Sequence, residues 1–170
     1  MKLALKIVVF SLLAPGTVAI VGPMLLLRWT HEWSFAHWGP MQWVGVLMSL
    51  LGFSAYAWCA YDFGAAGKGT PAPIDPPRTL VVRGLYRYSR NPMYLGVLGC
   101  ILGEALFFES LSVTVYACII FAGFHTFVRA YEEPKLHGLF GEAFDAYCAR
   151  VPRWIPQIRD GVSRTDKKQT

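Results

Sequence analysis

Two polar segments in the second half of the chain hold residue types that could do chemistry. The first runs from Pro76 to Gly96 and combines arginines and tyrosines with an Asn91-Pro92 step directly before an apolar run. Asn91 is suited to cap a helix that begins at Pro92, and the free N–H groups of such a helix start can hold a carboxylate or another anion. The alternative is a juxtamembrane anchor whose arginines contact lipid phosphates.

The second segment, Arg129–Pro134, places Glu132 beside Glu133 at the end of another apolar run. Carboxylates at the end of a membrane helix are costly to desolvate, so this pair needs partners. Nearby arginines are one set of partners, and a bound cation such as a sulfonium or ammonium group is the other. The residue types alone leave both open.

Two more ionisable residues, Glu104 and His125, lie inside apolar runs. An ionisable group within a membrane is a candidate for function. The two side chains could instead pair with each other, or Glu104 could reach the interface beside Glu109.

Four apolar segments must position these residues, in a chain that is 54% hydrophobic and only 16% charged. Soluble domains are nearer to about 25% charged, so the composition indicates a membrane protein. The predicted fold class is all-α, a polytopic membrane protein with about four transmembrane helices. The segments are Leu3–Leu27, Met41–Tyr61, Met93–Phe108 and Leu111–Val128.

The first segment, Leu3–Leu27, is long enough to cross a bilayer about 30 Å thick. Pro15-Gly16 falls in its middle and should kink the helix. Because Lys2 and Lys6 precede much of the apolar run, a cleaved signal peptide is the alternative. The length of the run and the spans that follow favour a retained helix.

The other three segments carry packing signals. The second has small residues at helical spacing, which allow close contact between helices. These are Gly45, Ser49, Gly52 and Ala55. Only Glu109-Ser110 separates the third segment from the fourth, which predicts a tight helical hairpin, although the third is short for a full crossing.

An amphipathic helix is predicted after Pro134, on the membrane surface or over a site, and Pro152 should end it. Its apolar stripe comprises Leu136, Leu139, Phe140, Phe144, Tyr147 and Val151. Between the spans, Gly64–Pro77 is rich in Gly, Pro and Ala and is expected to be a loop.

The basic residues are distributed unevenly along the chain. Fifteen of the sixteen lie at the N-terminal end, between the second and third spans, or after the fourth, and Arg28 is the exception. By the positive-inside rule we expect both termini in the cytoplasm, in a bacterial inner membrane. This distribution explains the net charge of +5 without nucleic acid.

The chain divides into three expected parts. These are an N-terminal transmembrane helix pair (1–61), a part carrying the chemistry (62–159) and a disordered tail (160–170).

The four histidines show no spacing typical of metal ligands, and the four cysteines are separated and mostly apolar in context, so we expect no metal site. The Gly-rich run at 64–70 lacks the spacing of a phosphate loop.

Short motifs follow one another in a fixed order through the second half of the chain. They are Leu80-Val81, Gly84-Leu85-Tyr86, Arg90-Asn91-Pro92-Met93-Tyr94-Leu95-Gly96, Glu132-Glu133, Phe140-Gly141, Tyr147, Val151-Pro152 and Pro156. In this order they resemble the isoprenylcysteine carboxyl methyltransferases and the related phospholipid methyltransferases. Asn91 stands where the prenylcysteine enzymes have His, so no imidazole is present at that position.

The resemblance implies a pocket for S-adenosylmethionine, with Glu132 binding from the far side of the hairpin. Arg129, near the family's substrate-binding arginine, and His125 are the expected catalytic residues. The expected cofactor-binding residues are Arg78, Thr79, Leu80, Val81, Tyr86, Asn91, Pro92, Met93, Tyr94 and Glu132.

The residue types suit the charges of this cofactor. Glu132 can meet its ammonium group, backbone N–H groups near Asn91 its carboxylate, and Tyr86 or Tyr94 its sulfonium through a cation–π contact. Methyl transfer is an in-line displacement, so alignment and exclusion of water matter most. A carboxylate acceptor needs no base, whereas an amine must lose a proton, for which His125 is the candidate.

We therefore expect an integral membrane methyltransferase whose lipophilic acceptor, an isoprenylcysteine-like carboxylate or a lipid amine, enters from the bilayer. Membrane lipids are expected around it, without nucleic acid or metal. One alternative is an NADPH-dependent membrane reductase of the sterol reductase type, which shares part of the motif series but lacks the Glu-Glu pair. The other is a non-enzymatic membrane scaffold.

Overall fold

The computed structural model describes residues 13–33, 38–67 and 79–156, and all regular structure in these ranges is helical. The all-α fold class is confirmed. Several predictions lie wholly or partly outside these ranges: the first part of the Leu3–Leu27 span, most of the Gly64–Pro77 loop, Arg78 and the tail at 160–170.

Six α-helices form the described part of the chain. They are α1 (Gly22–Trp29), α2 (Pro40–Asp62), α3 (Pro92–Phe107), α4 (Leu111–Phe127), α5 (Glu133–Phe140) and α6 (Glu142–Arg150). Three π-helical turns adjoin them, Thr17–Val21 before α1, Phe63–Gly67 after α2 and Val128–Glu132 between α4 and α5. The first of these turns directly follows Pro15-Gly16, where the sequence predicted a departure from straight α-helix.

Among the described residues, two continuous helices are long and apolar enough to cross a membrane, Pro40–Ala65 and Leu111–Phe140. The helices Thr17–Trp29 and Pro92–Phe107 are apolar but shorter. At about 1.5 Å per residue, α3 extends about 24 Å, less than the roughly 30 Å of a hydrocarbon core. Large apolar side chains on α2 face outward, with Leu47 57% and Leu51 62% exposed, as expected of a surface in contact with lipid.

The closest helix packing is between α2 and α3, and it depends on glycine. A Cβ atom on Gly45 would lie 2.6 Å from the carbonyl oxygen of Gly103, and one on Gly52 would lie 2.6 Å from that of Gly96. Between these contacts the Ser49 hydroxyl donates to the Cys100 carbonyl at 3.4 Å. Gly45, Ser49 and Gly52 therefore do permit the close approach predicted for this helix.

The α3–α4 hairpin turns at Phe108–Ser110, as predicted. Ser110 caps α4, because its hydroxyl accepts a hydrogen bond from the Val113 N–H at 3.1 Å. The hairpin packs on the N-terminal helix, where the Tyr116 hydroxyl donates to the Val18 carbonyl at 2.9 Å. At the opposite end of the hairpin, Tyr94 near the start of α3 lies against Phe124 near the end of α4.

The prediction of one continuous helix after Pro134 was wrong, because Gly141 divides this stretch into two helices, α5 and α6. Gly141 has φ +50°, a conformation that side chains other than glycine rarely adopt, and it ends the first helix and starts the second. The break lets α6 fold back, so that Phe144, Tyr147 and Val151 form a buried cluster with Leu80. Leu139 of the predicted stripe is instead 51% exposed.

Candidate active site

The first turn of α3 and the π-helical turn after α4 meet through a side-chain hydrogen bond. The Tyr94 hydroxyl donates to Oε2 of Glu132 at 2.9 Å. The Tyr94 ring packs on Phe124 of α4, with ring centroids 4.7 Å apart. Two residues predicted to face one pocket from opposite sides of the hairpin are therefore in contact.

Tyr86 lies in a buried cluster beside this pair. Cys59 of α2 and Val81 are buried with it, and Met93 packs against the group. Burial, together with the neighbouring Cys59 and Glu132, raises the pKa of the Tyr86 hydroxyl well above its usual value, so this tyrosine is neutral at physiological pH. The Tyr147 hydroxyl of α6 donates to the Tyr86 carbonyl at 2.7 Å and holds the segment in place.

The adjacent glutamates have different partners. Glu133 receives two hydrogen bonds from Arg153, each at 2.8 Å, and pairs with Arg90 at 2.9 Å. Glu132 has only the Tyr94 hydroxyl as a hydrogen-bond donor within residues 13–33, 38–67 and 79–156. Arginines thus satisfy Glu133, whereas the carboxylate of Glu132 keeps one oxygen for a further donor.

Asn91 occupies the cap position of α3 with Pro92 at the first helical position, but the predicted side-chain cap was wrong. Its side-chain N–H donates to the carbonyl of Arg153 at 3.0 Å, and its backbone N–H donates to the Ser89 hydroxyl at 3.2 Å. The first backbone bond of the helix runs from the Leu95 N–H to the Asn91 carbonyl. The N–H groups of the first turn therefore have no partner within the helix.

Arg90 contributes a second unsatisfied donor at this end of α3. Its Nε is buried and has no hydrogen-bond partner within the described ranges of the chain. Its Nη1 contacts both Glu133 and the Cys148 sulfur, the latter at 2.7 Å. A buried N–H next to a helix start with free donors is suited to an anionic ligand group.

His125 and Glu104, which the sequence allowed to pair, have separate surroundings. Nδ1 of His125 accepts a hydrogen bond from the Trp154 indole N–H at 3.0 Å. Glu104 has one buried carboxylate oxygen without a hydrogen-bond partner in the part of the chain that is described. Glu109 accepts from Gln42 at 2.9 Å at the hairpin turn. In those same ranges there is no group of three His, Cys, Asp or Glu side chains suited to a metal ion.

The remaining predicted site residues differ in how far they are exposed to solvent. Pro92 is buried, Leu80 packs against the α6 cluster, and Thr79 is exposed. Arg129 is exposed, although its charge lies near enough to Glu133 to stabilise that carboxylate. Arg78 lies outside the described residues. Within the described ranges, Arg129 makes no hydrogen bond to the Tyr94–Glu132 pair.

Sequence reasoning missed Ser89, Arg153 and Trp154. In the sequence, the segment Val151–Pro156 is recognisable only as the end of the motif series. Its two prolines, Pro152 and Pro156, were the available signal, because they favour an extended segment in which side chains can reach a neighbouring surface.

Comparison with known proteins gives three matches. The family described as phospholipid methyltransferase matches residues 40–143. The cobalt-zinc-cadmium resistance protein CzcN of Cupriavidus metallidurans is 29% identical over 131 residues, which cover 77% of this chain and 55% of that protein. The protein-S-isoprenylcysteine O-methyltransferase of Schizosaccharomyces pombe is 30% identical over 79 residues, 46% of this chain and 34% of that enzyme. No solved structure matches.

Proposed function

Since the chain belongs to the phospholipid methyltransferase family, we propose that it transfers a methyl group from S-adenosylmethionine to a lipophilic acceptor in the membrane. The chain spans about half of one curated relative and a third of the other, so the proposal concerns the chemistry of this site. The observation that carries it is the Tyr94–Glu132 hydrogen bond, which joins the two motif segments of the hairpin into one polar centre.

The charges at this centre fit the cofactor. The free carboxylate oxygen of Glu132 would hold the ammonium group, since Tyr94 occupies only the other oxygen. The buried Nε of Arg90 and the first-turn N–H groups of α3 would hold the carboxylate. An acceptor of the protein would thus meet the ammonium group of the ligand, and unsatisfied donors of the protein would meet its carboxylate.

The aromatic residues fit its sulfonium. Tyr94 and the neutral Tyr86 would face that charge with their ring faces, a favourable cation–π arrangement. When bound, S-adenosylmethionine would supply an activated methyl group, and its sulfonium would become the neutral thioether of the demethylated product. The contribution of the protein is to align the acceptor in line with the methyl group and to exclude water.

We propose that the acceptor enters laterally from the bilayer. The helices beside the site expose apolar side chains, among them Phe121 of α4 at 40%. A lipophilic molecule dissolved in the hydrocarbon region would reach the Tyr94–Glu132 pair without passing through water. The orientation that suits this route has both termini in the cytoplasm, on the side where most basic residues lie.

The decisive experiment is ligand binding by the protein purified in detergent. We expect S-adenosylmethionine and its demethylated product to raise the melting temperature, and reduced nicotinamide cofactor to leave it unchanged. Tyr94→Phe keeps the ring contact with Phe124 but removes the hydrogen bond to Glu132, and we expect affinity to fall about tenfold, the equivalent of about 1.4 kcal/mol.

Glu132→Ala should weaken binding further, because it also removes the partner of the ammonium group. Tyr88→Phe is the matched control, since this nearby tyrosine is 39% exposed. Stabilisation by the nicotinamide alone would identify a reductase. No stabilisation by any of these ligands would contradict the proposed function.

A further inference from the structure

Hydrogen bonds to the carbonyl groups of Pro152 and Arg153 hold the segment Val151–Pro156 against the start of α3. The Arg90 N–H donates to the Pro152 carbonyl at 2.9 Å. The Ser89 hydroxyl and the Asn91 side chain both donate to the Arg153 carbonyl, at 3.1 and 3.0 Å. The residue that follows, Trp154, is therefore held at a defined place against the hairpin.

The Trp154 ring lies between residues of both hairpin helices. Its centroid is 5.1 Å from that of Phe121 and 6.4 Å from that of Tyr94, with the rings near edge-on in each case. Against His125 it is stacked at 6.2 Å. Trp154 thus packs on the Tyr94 ring of α3 and on the Phe121 and His125 rings of α4.

The indole N–H of Trp154 selects the tautomer of His125. It donates to Nδ1 at 3.0 Å, so Nδ1 must be an acceptor. A neutral imidazole that accepts at Nδ1 carries its proton on Nε2. While this hydrogen bond is intact, His125 offers an N–H donor and has no ring nitrogen free to remove a proton.

We propose that Trp154 is a positioning residue of the methyl-transfer site, which acts by holding His125 as an Nε2–H donor and by packing the Tyr94 ring. The proposal rests on the proposed function, and it deepens it by giving His125 the role of binding a polar group of the acceptor. It replaces the role of general base that the sequence allowed for this residue.

The first test is the tautomer itself and needs no activity. Protein labelled with ¹⁵N-histidine is measured by NMR in detergent, and the His125 signal is assigned from its loss in His125→Phe. We expect the Nε2–H tautomer in the unmodified protein and a mixture in Trp154→Phe, which keeps an aromatic ring but has no N–H. Trp29→Phe is the control, because Trp29 is 80% exposed on α1.

The second test is a double-mutant cycle on methyl transfer. Label from S-adenosylmethionine is followed into N-acetyl-S-farnesylcysteine and into phosphatidylethanolamine vesicles. We expect Trp154→Phe to lower kcat/KM for the acceptor about three- to tenfold, the equivalent of one hydrogen bond, and to have almost no effect when His125 is already Phe. The stabilisation by S-adenosylmethionine should be unchanged.

Two outcomes would overturn the proposal. One is an Nε2–H tautomer that is missing from the unmodified protein or unaffected by Trp154→Phe. The other is an equal loss of kcat/KM in both His125 backgrounds, since that would show a purely structural role for Trp154. Failure of the proposed function would look different, because the unmodified protein would then not be stabilised by S-adenosylmethionine at all.

Discussion

Glu132 and Glu133 are neighbours in the chain, yet one carboxylate contacts a tyrosine hydroxyl and the other contacts two guanidinium groups. The difference follows from the helix, where consecutive residues point about 100° apart. Glu133 therefore faces Arg90 and Arg153, while Glu132 faces the hairpin. Glu133 is thus held by ion pairs within the protein, and Glu132 is the carboxylate that the proposed function assigns to the ligand.

The two glutamates should respond differently to removal of their charge. Glu133→Gln leaves the guanidinium of Arg90, only 14% exposed, without its carboxylate partner. We expect the free energy of unfolding to fall by about 2 to 4 kcal/mol, toward the lower end because Arg153 is more exposed. Glu132→Gln keeps an acceptor for Tyr94, so its loss should be about 1 kcal/mol or less.

Thermal denaturation in detergent, with and without S-adenosylmethionine, measures both effects. Glu133→Gln should melt at a lower temperature but still respond to the ligand if it folds. Glu132→Gln should melt near the unmodified protein and respond weakly. Equal destabilisation by the two substitutions would contradict the separation of roles.

At the scale of helices, the close packing of α2 against α3 fixes the position of the hairpin that carries the candidate site. The contacts of Gly45 with Gly103 and of Gly52 with Gly96 bring the two backbones together. Near the start of α3, Cys59 of α2 packs beneath Tyr86 and Met93. A change in helix spacing would therefore displace the cluster beside the Tyr94–Glu132 pair.

Gly52→Ala tests this packing. The added methyl group would lie 2.6 Å from the Gly96 carbonyl oxygen and 2.8 Å from the Cys100 nitrogen, and backbone atoms cannot move aside cheaply. We expect a destabilisation of about 1 to 3 kcal/mol.

The matched control is Gly123→Ala on α4, where nothing lies within 4 Å of the added atom. Alanine should stabilise that helix by up to about 1 kcal/mol. The measurement is the melting temperature of each variant in the same detergent, which should fall for Gly52→Ala and rise or stay unchanged for Gly123→Ala. Equal melting temperatures would show that the α2–α3 contact is looser than its geometry indicates.

On the scale of the whole molecule, the described helices place His31 and Glu142 near opposite ends of the hairpin. His31 follows α1, and Glu142 begins α6, which packs at the end that holds the site. The hairpin and α2 therefore separate a face with the candidate site from a face with the short α1–α2 connection. By the positive-inside rule, we propose that the former faces the cytoplasm.

Cysteine labelling tests this orientation. His31→Cys and Glu142→Cys, both at exposed positions, are introduced into a chain whose four native cysteines are replaced by alanine. In intact bacteria, a membrane-impermeant maleimide should label the first variant and not the second. After permeabilisation both should react. Labelling of both variants, or of Glu142→Cys alone, in intact cells would overturn the orientation.

Local patterns in the sequence determined where the helices lie and which segments could hold a ligand. Apolar runs located α2, α3 and α4 to within about a residue at most ends, and Glu109-Ser110 located the hairpin turn. The motif residues Tyr94 and Glu132 were expected to line one pocket from opposite sides of the hairpin, and their side chains are joined by a hydrogen bond. These features are predictable because hydrophobic periodicity, helix caps and turn residues act over only a few positions.

The tertiary structure decided which side chains pair across the hairpin. The Arg153 carbonyl, which accepts from the Ser89 hydroxyl, lies 64 residues further along the chain, and Glu132, which accepts from Tyr94, lies 38 residues further along. Such pairs depend on the rotation and spacing of whole helices, which the small residues of α2 and the break at Gly141 control. For this reason the Asn91 side chain binds Arg153 rather than its own helix, and Trp154 reaches His125, although no local pattern indicates either contact.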